Sequence, residues 1–325
     1  MQRARSWVRA VLMGAAACSL GIFGVVASCV PADTRPEPGN LTMTVSPSQA
    51  VENGFVTADG WSIAFDRVLV GIGDVSISDA CSRYSSANYD RIIDAKRGRA
   101  QKLSIVYGLG ECDVRFRISP PSSDALLGEG VTEADKTAMR SPGSDIYMPL
   151  SGISVDIQGE ATRGVEHKTF HLVFRPRVRF ERCAGGNIDG PAKPSIHLES
   201  GRALAYDIRI EAEALFRDDT KVDASTFRFD PFASADKNGD HTITLDELER
   251  VPLSSIRDAG SFEASTYTSD EDGGLRRGPT LAIESLADYV YQILLPLVPR
   301  MERFDPCVAS IRVPRSSAIE PRAGN

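Results

Sequence analysis

The chain has 325 residues, of which 42% are hydrophobic and 25% charged, and its 44 acidic side chains outnumber 37 basic ones for a net charge of −7. An acidic chain argues against nucleic acid as a partner. The length suffices for one large or two small domains.

Arg3, Arg5 and Arg9 precede an apolar run from Ala10 to Ala27, with no acid before Asp33. This is the layout of a secretory signal peptide over residues 1–28. Val26-Ala27-Ser28-Cys29 resembles a bacterial lipobox, which implies lipidation of Cys29 and a membrane contact through an N-terminal lipid anchor. Cys18 would leave too short an apolar core for that role. Two alternatives stay open: an uncleaved anchor, since the run is long enough to span, or ordinary cleavage and secretion. Val30, rather than an acid, follows Cys29, which favours the outer membrane in a two-membrane envelope. Pro31, Pro36, Pro38 and Gly39 mark residues 29–40 as an extended tether.

Cys81, Cys112, Cys183 and Cys307 remain, an even number in an exported chain, and read as two disulfides with three possible pairings. The favoured pairing is Cys81–Cys112, closing a local loop, with Cys183–Cys307 stapling the tail to the β region. None is spaced C-x-x-C, which argues against zinc and thioredoxin-like chemistry.

Residues 41–220 are expected to form a β-sandwich domain. Ile63, Phe65, Arg67 and Leu69 alternate with Ser62, Ala64, Asp66 and Val68. Val155 to Gln158, Asp113 to Ile118 and Arg175 to Phe180 alternate too, and turn residues separate these runs. The fold class expected is mainly β with α additions: an antiparallel β-sandwich, then one helix-loop-helix motif and a C-terminal helix. Ser122–Pro142 reads as a polar surface insertion with a short helix near Thr132–Met139. Arg175, Arg177 and Arg179 line one strand face, and Arg115 and Arg117 another. Facing one another they would suit an anionic glycan or lipid headgroup; exposed faces balanced by acids are the plainer reading. His167 and His171, on a strand, would lie about 13 Å apart and are discounted as metal ligands. Glu211 and Glu213 would share a strand face, with Asp218 and Asp219 close behind; paired carboxylates can do acid–base work, but a solvated strand end explains them as well.

The strongest motif is Asp236-Lys237-Asn238-Gly239-Asp240-His241-Thr242-Ile243-Thr244-Leu245-Asp246-Glu247. It has the oxygen-ligand spacing of an EF-hand loop. Calcium takes about six to eight oxygens. Asp236, Asn238 and Asp240 would supply the first side-chain oxygens, Thr242 its backbone carbonyl, Thr244 a direct or water-mediated ligand, and Glu247 both carboxylate oxygens. Ile243 should point into the core. His241 stands where glycine is usual, because that turn needs positive φ; the cost is about 1 kcal/mol and should weaken binding without abolishing it. Asp230 is expected to cap an entering helix from Pro231 to Ala235 anchored by Phe232. Leu245, Leu248 and Val251 line the exit helix, which Pro252 stops, so that the motif occupies 226–252. No second loop is found with which it could pair; Asp270-Glu271-Asp272-Gly273-Gly274 lacks the spacing. Within residues 253–325 a polar segment gives way to Leu281, Leu286, Val290, Ile293, Leu294 and Leu297 at helical spacing. They predict an amphipathic helix packed on the sandwich that Pro296 bends or ends.

Asp59-Gly60-Trp61 followed by Ser62 to Val70 resembles the opening strand of a group of exported bacterial proteins, many of them lipoproteins. Asp113 to Ile118 resembles their second signature strand and is similar to a prealbumin-like β-sandwich family of unknown function. Gly159-Glu160-Ala161-Thr162 with Lys168-Thr169-Phe170 resembles a third segment. The resemblance implies a fold and calcium, and no activity. Where members of the group carry a His/Asp cluster, this chain has Glu211-Ala212-Glu213.

The leading expectation is a non-enzymatic, lipid-anchored envelope protein with a structural calcium and an envelope or extracellular glycan or protein as partner. The alternatives are a calcium-dependent adhesion module, or an exported glycan- or lipid-active hydrolase using Glu211 and Glu213. No Gly-x-Ser-x-Gly elbow, phosphate loop or dinucleotide fingerprint nominates an enzyme.

Overall fold

The computed structural model describes residues 34–77, 81–145, 148, 150–181, 183, 196–218, 225–254, 283–301 and 307–312. The expected signal peptide, Cys29, most of the expected tether, Asp219, the acidic run from Asp270 and Leu281 lie outside them. The first strands are β1 (Gly39–Pro47), β2 (Phe55–Val56), β3 (Ser62–Ile77), β4 (Ser82–Asn88), β5 (Arg91–Asp94), β6 (Gln101–Cys112), β7 (Val114–Ile118) and β8 (Leu126–Leu127). They are followed by β9 (Val155–Arg163), β10 (Glu166–Phe174), β11 (Arg177–Glu181), β12 (Ile196–Leu198), β13 (Ala203–Ile210), β14 (Thr242–Thr244), β15 (Pro299–Met301) and β16 (Val308–Arg312). Helices are short: α1 (Gln49–Asn53), α2 (Glu133–Arg140), α3 (Asp230–Ala233), α4 (Leu245–Glu249) and α5 (Leu286–Tyr289).

The protein is mainly β with α additions. One sheet runs β12-β6-β1-β13-β15, with β4 also on β6; the other runs β14-β10-β9-β3-β7-β11-β16, with β2 and β5 on β3 and β8 on β5. One hydrophobic cluster draws from both sheets, with Leu41, Met43, Ile208 and Ile210 from the first and Phe65, Val70, Ile157 and Phe170 from the second. The sheets are mixed, which corrects the expectation of a purely antiparallel sandwich: β1 pairs parallel with β13, β10 with β14 and β5 with β8. Parallel pairing joins segments distant in sequence, so strand alternation carries no sign of it. Gly39 and Asn40, assigned to the tether, already belong to β1.

The alternation read along β3 holds only for its first half. Ile63 and Phe65 are buried, but the register against β9 slips between Phe65 and Arg67. That bulge inserts one residue and reverses the phase. Beyond it Val68, Val70 and Ile72 enter the main core, while Leu69 faces a smaller cluster with Ile92, Ala125, Val131 and Met139. The polar insertion thus has a core of its own, beneath α2, whose N-cap Thr132 receives the Asp135 backbone N–H at 3.3 Å and donates its own N–H to the Asp135 carboxylate at 2.8 Å.

Both favoured disulfides form, Cys81–Cys112 and Cys183–Cys307. The first joins the start of β4 to the end of β6, which are hydrogen-bonded neighbours. The second follows β11 and precedes β16, whose antiparallel register it closes beside Glu181↔Val308. The tail is thereby stapled to the second sheet.

The C-terminal helix departs from the expected form. α5 continues as a wide π turn over Val290–Leu294, where Leu295 N–H bonds the Val290 carbonyl, and ends in a 3-10 turn at Leu295–Leu297. It is buried on nearly every side, through Leu286, Ala287, Tyr289, Val290, Tyr291, Ile293, Leu294 and Leu295. Glu284, Asp288 and Gln292, four apart, are its less buried positions, so the expected amphipathic pattern is kept as a narrow polar stripe beside a broad apolar face. No helix among the described residues is long and apolar enough to cross a membrane.

Candidate metal centre

The entering helix is set by long-range contacts. Asp230 was expected as its N-cap, but it is the first helical residue, and the backbone N–H groups of Phe229 and Asp230 donate to Asp59 Oδ2 at 2.8 and 2.7 Å. Asp59 therefore caps α3 from the far side of the chain. The Asp230 carboxylate is left to accept from Trp61 Nε1 at 2.9 Å and Arg163 Nη1 at 2.7 Å. Phe232 anchors α3 as expected, stacked on Phe229 with centroids 5.8 Å apart and 5.0 Å from Phe216. Phe216 in turn meets Phe170 of β10 at 5.5 Å. A fully buried phenylalanine contributes about 2–3 kcal/mol, so this cluster ties the loop's first flank to the sandwich core.

After α3 the loop wraps on its own side chains. Asp236 Oδ1 accepts from Gly239 N–H at 2.8 Å, Asn238 Oδ1 from Asp240 N–H at 2.9 Å and Asp240 Oδ1 from Thr242 N–H at 2.8 Å. His241 has φ of 64°, the left-handed conformation expected at that position. Ile243 is fully buried. No second loop pairs with this one among the described residues; the sandwich supplies the strand instead. β14 runs parallel to β10, with Thr169↔Thr242, Phe170↔Ile243 and His171↔Thr244 in register.

Leu245, Leu248 and Val251 are buried along and just beyond α4, as expected, and Asp246 and Glu249 face solvent. Glu247 is 5% exposed and divides its carboxylate. Oε2 accepts from Thr244 N–H at 3.0 Å and from Thr244 Oγ1 at 3.2 Å, holding the start of α4. Oε1 is buried with no hydrogen-bond partner. One carboxylate oxygen from each of Asp236, Asp240 and Glu247 lies within 4.8 Å of the others. Three like charges so close repel strongly unless a cation stands among them. The Thr244 hydroxyl donates its proton to Glu247, which leaves its oxygen lone pairs for a direct or water-mediated contact at that position. Thr242 turns its hydroxyl to Thr169 Oγ1 at 3.0 Å, consistent with a contribution from its carbonyl alone.

One partner was not legible in the motif. Lys168 Nζ donates to Asp236 Oδ2 at 2.5 Å and lies 3.4 Å from His241 Nδ1. This ammonium holds the Asp236 carboxyl below the usual carboxylate range. Lys168 belongs to β10, far from the loop in sequence, and only the β10·β14 pairing brings it there.

The other sequence candidates resolve differently. Glu211 and Glu213 do not share a strand face: β13 ends at Ile210, and a 3-10 turn over Ala212–Phe216 takes Glu213 inward. Glu213, 7% exposed, accepts from Ser48 Oγ at 2.8 Å, while Glu211 lies near Arg217 at 3.8 Å and Arg300 at 4.0 Å. Asp218 is spent on Arg228 at 2.9 Å and on Thr226. A carboxyl so enclosed meets no substrate without rearrangement. His167 and His171 stand on β10 with separate partners, Glu160 at 3.1 Å and Asp156 at 3.0 Å, which raises the His171 pKa. Arg117 and Arg179 are direct cross-strand neighbours, but acids balance the face: Glu181 lies 4.0 Å from Arg115 and 3.2 Å from Arg179, and Asp74 3.3 Å from Arg117.

No family model, curated protein or solved structure matches this chain. The functional argument therefore rests on the loop itself.

Proposed function

We propose that the protein binds a calcium ion in the Asp236–Glu247 loop, through Asp236, Asn238, Asp240, the Thr242 carbonyl, Thr244 and Glu247. The observation that carries this reading is Glu247: its Oε1 atom is buried without a hydrogen-bond partner, and its carboxylate lies with those of Asp236 and Asp240. A buried unpaired charged oxygen costs several kcal/mol unless something pairs with it. A divalent cation with oxygen preference satisfies all three carboxylates at once. When bound, the ion cross-links the segment after α3 to the start of α4. Pairing of β14 with β10 favours a structural ion over a switch, because the loop is already part of the large sheet. The resemblance and the N-terminal pattern support a lipid-anchored location in the cell envelope through Cys29, outside the described residues. Cys29→Ser should abolish incorporation of labelled fatty acid; retained label would end that part of the proposal.

Thermal melting of the full chain tests the metal. Calcium at about a hundred times its Kd should stabilise the protein by about 3 kcal/mol, seen as a rise of several degrees in Tm. Glu247→Gln, whose amide oxygen can still accept from Thr244, should remove the rise without unfolding the protein. Equal melting curves with millimolar calcium and with chelator would refute the proposal.

A further inference from the structure

Beside the loop, a groove of 860 Å³ runs between the tip of the β9–β10 hairpin and α3, lined by Trp61, Arg163, Val165, His167, Lys168 and Asp230, among others. Its cations are all paired within the protein among the described residues. Arg163 bonds Asp230 at 2.7 Å and Glu166 at 3.1 Å while its guanidinium lies 4.5 Å from the Trp61 ring centroid. His167 bonds Glu160 at 3.1 Å, and Lys168 bonds Asp236. Lys168 is the exception in kind. Its partner, with a fully buried side chain, is the first carboxylate of the proposed calcium set.

We propose that Lys168 is a built-in cation that competes with calcium for Asp236 and, once displaced, turns the groove into a binding site for an anionic group such as a sulfate, carboxylate or phosphate. The inference rests on the calcium reading above. An ammonium and a divalent ion sharing one carboxylate repel each other across a few ångströms of partly desolvated space. Calcium in the loop therefore drives Lys168 off Asp236. The side chain is only 18% exposed, so the released charge stays at the groove wall, whose two acids, Asp230 and Glu166, already bond Arg163. A partly buried ammonium recruits an anion. Reciprocity follows: an anion that favours the displaced lysine must raise calcium affinity by the same factor by which calcium raises anion affinity.

The experiment is calcium titration calorimetry on the full chain, in sodium sulfate and in sodium chloride of matched ionic strength, for wild type, Lys168→Met and Lys168→Arg. Methionine keeps the aliphatic stem and removes the charge; arginine keeps the charge and checks that the strand tolerates change. Wild type should bind calcium more tightly in sulfate than in chloride. Lys168→Met should bind about tenfold more tightly than wild type in chloride, the scale expected for removing one adjacent positive charge, and should lose the sulfate effect. Lys168→Arg should stay near wild type. Calcium affinity that is unchanged or lower in Lys168→Met overturns the competition, and a sulfate effect equal in both proteins overturns the anion site. No calcium binding in any of the three proteins would refute the underlying reading of the loop as well, which separates the two failures.

Discussion

Glu213 carries a carboxyl into the core next to α1, and burial pushes its pKa up to about 7, with the Ser48 hydroxyl and Arg217 offsetting only part of that shift. The folded protein therefore binds a proton that the unfolded chain releases above its ordinary value of 4.5. Stability from this group is fully present below that value and is lost as pH rises from about 4.5 to about 7, a difference of about 3 kcal/mol. Denaturant melts across that window should show the decline, and Glu213→Gln should flatten it. His241 is a second residue under strain, held at φ of 64°. Glycine there removes a side-chain penalty of about 1 kcal/mol from the loop. His241→Gly should accordingly tighten calcium binding about fivefold in a direct titration. A weaker-binding glycine variant would mean that the imidazole, 3.9 Å from Asp236, does more than tolerate its turn.

α3 has four residues, too few to hold itself in water. It depends on Asp59, which supplies two cap hydrogen bonds from the turn before β3, and on the phenylalanine cluster beneath it. Asp59→Ala should cost about 1–2 kcal/mol and lower calcium affinity, since the loop's entry angle is set by that cap. Asp59→Asn, with one acceptor oxygen retained, should recover part of both losses. α4 is about as short, and the Glu247 carboxylate belongs to both helix and loop: Oε2 holds the Thr244 backbone at the helix start, while the group also lies close to the Asp236 and Asp240 carboxylates. Coupling of helix start and ion site through one side chain explains how calcium would stabilise the fold beyond the loop.

The molecule as a whole is closed by covalent links as much as by its core. Cys183 and Cys307 are 124 positions apart, and their bond fastens β16, one of the last described elements, to β11. A loop of that length contributes about 4–5 kcal/mol by the chain-entropy estimate. Cys183→Ser/Cys307→Ser should lose about that much in chemical unfolding. The Cys81–Cys112 link, spanning 31 positions, closes a shorter loop and should cost less when removed. Two-state unfolding without calcium and a steeper melt with it would match a loop that is one strand of the main sheet.

What could be read along the chain was local. Alternation in β7 and β9, the Thr132 helix start, the positive φ of His241 and the inward Ile243 all depend on residues within a few positions of one another. The loop's carboxylates were legible for the same reason: a ligand set at fixed spacing in twelve consecutive residues is a local pattern. The same reading failed where one residue or one distant partner changes the outcome. A bulge after Phe65 turned Arg67 and Leu69 away from the face assigned to them. A 3-10 turn parted Glu211 from Glu213. Asp59 replaced Asp230 as the cap, and a π turn interrupted the helix ahead of Pro296. By itself, the sequence determined the strand-rich character, the disulfide framework and the oxygen-bearing loop, because short-range periodicity and side-chain chemistry encode them. Only the tertiary structure decided that the loop is edge-paired to β10 and that Lys168 lies against Asp236, because contacts across 68 positions depend on register, which no local signal specifies.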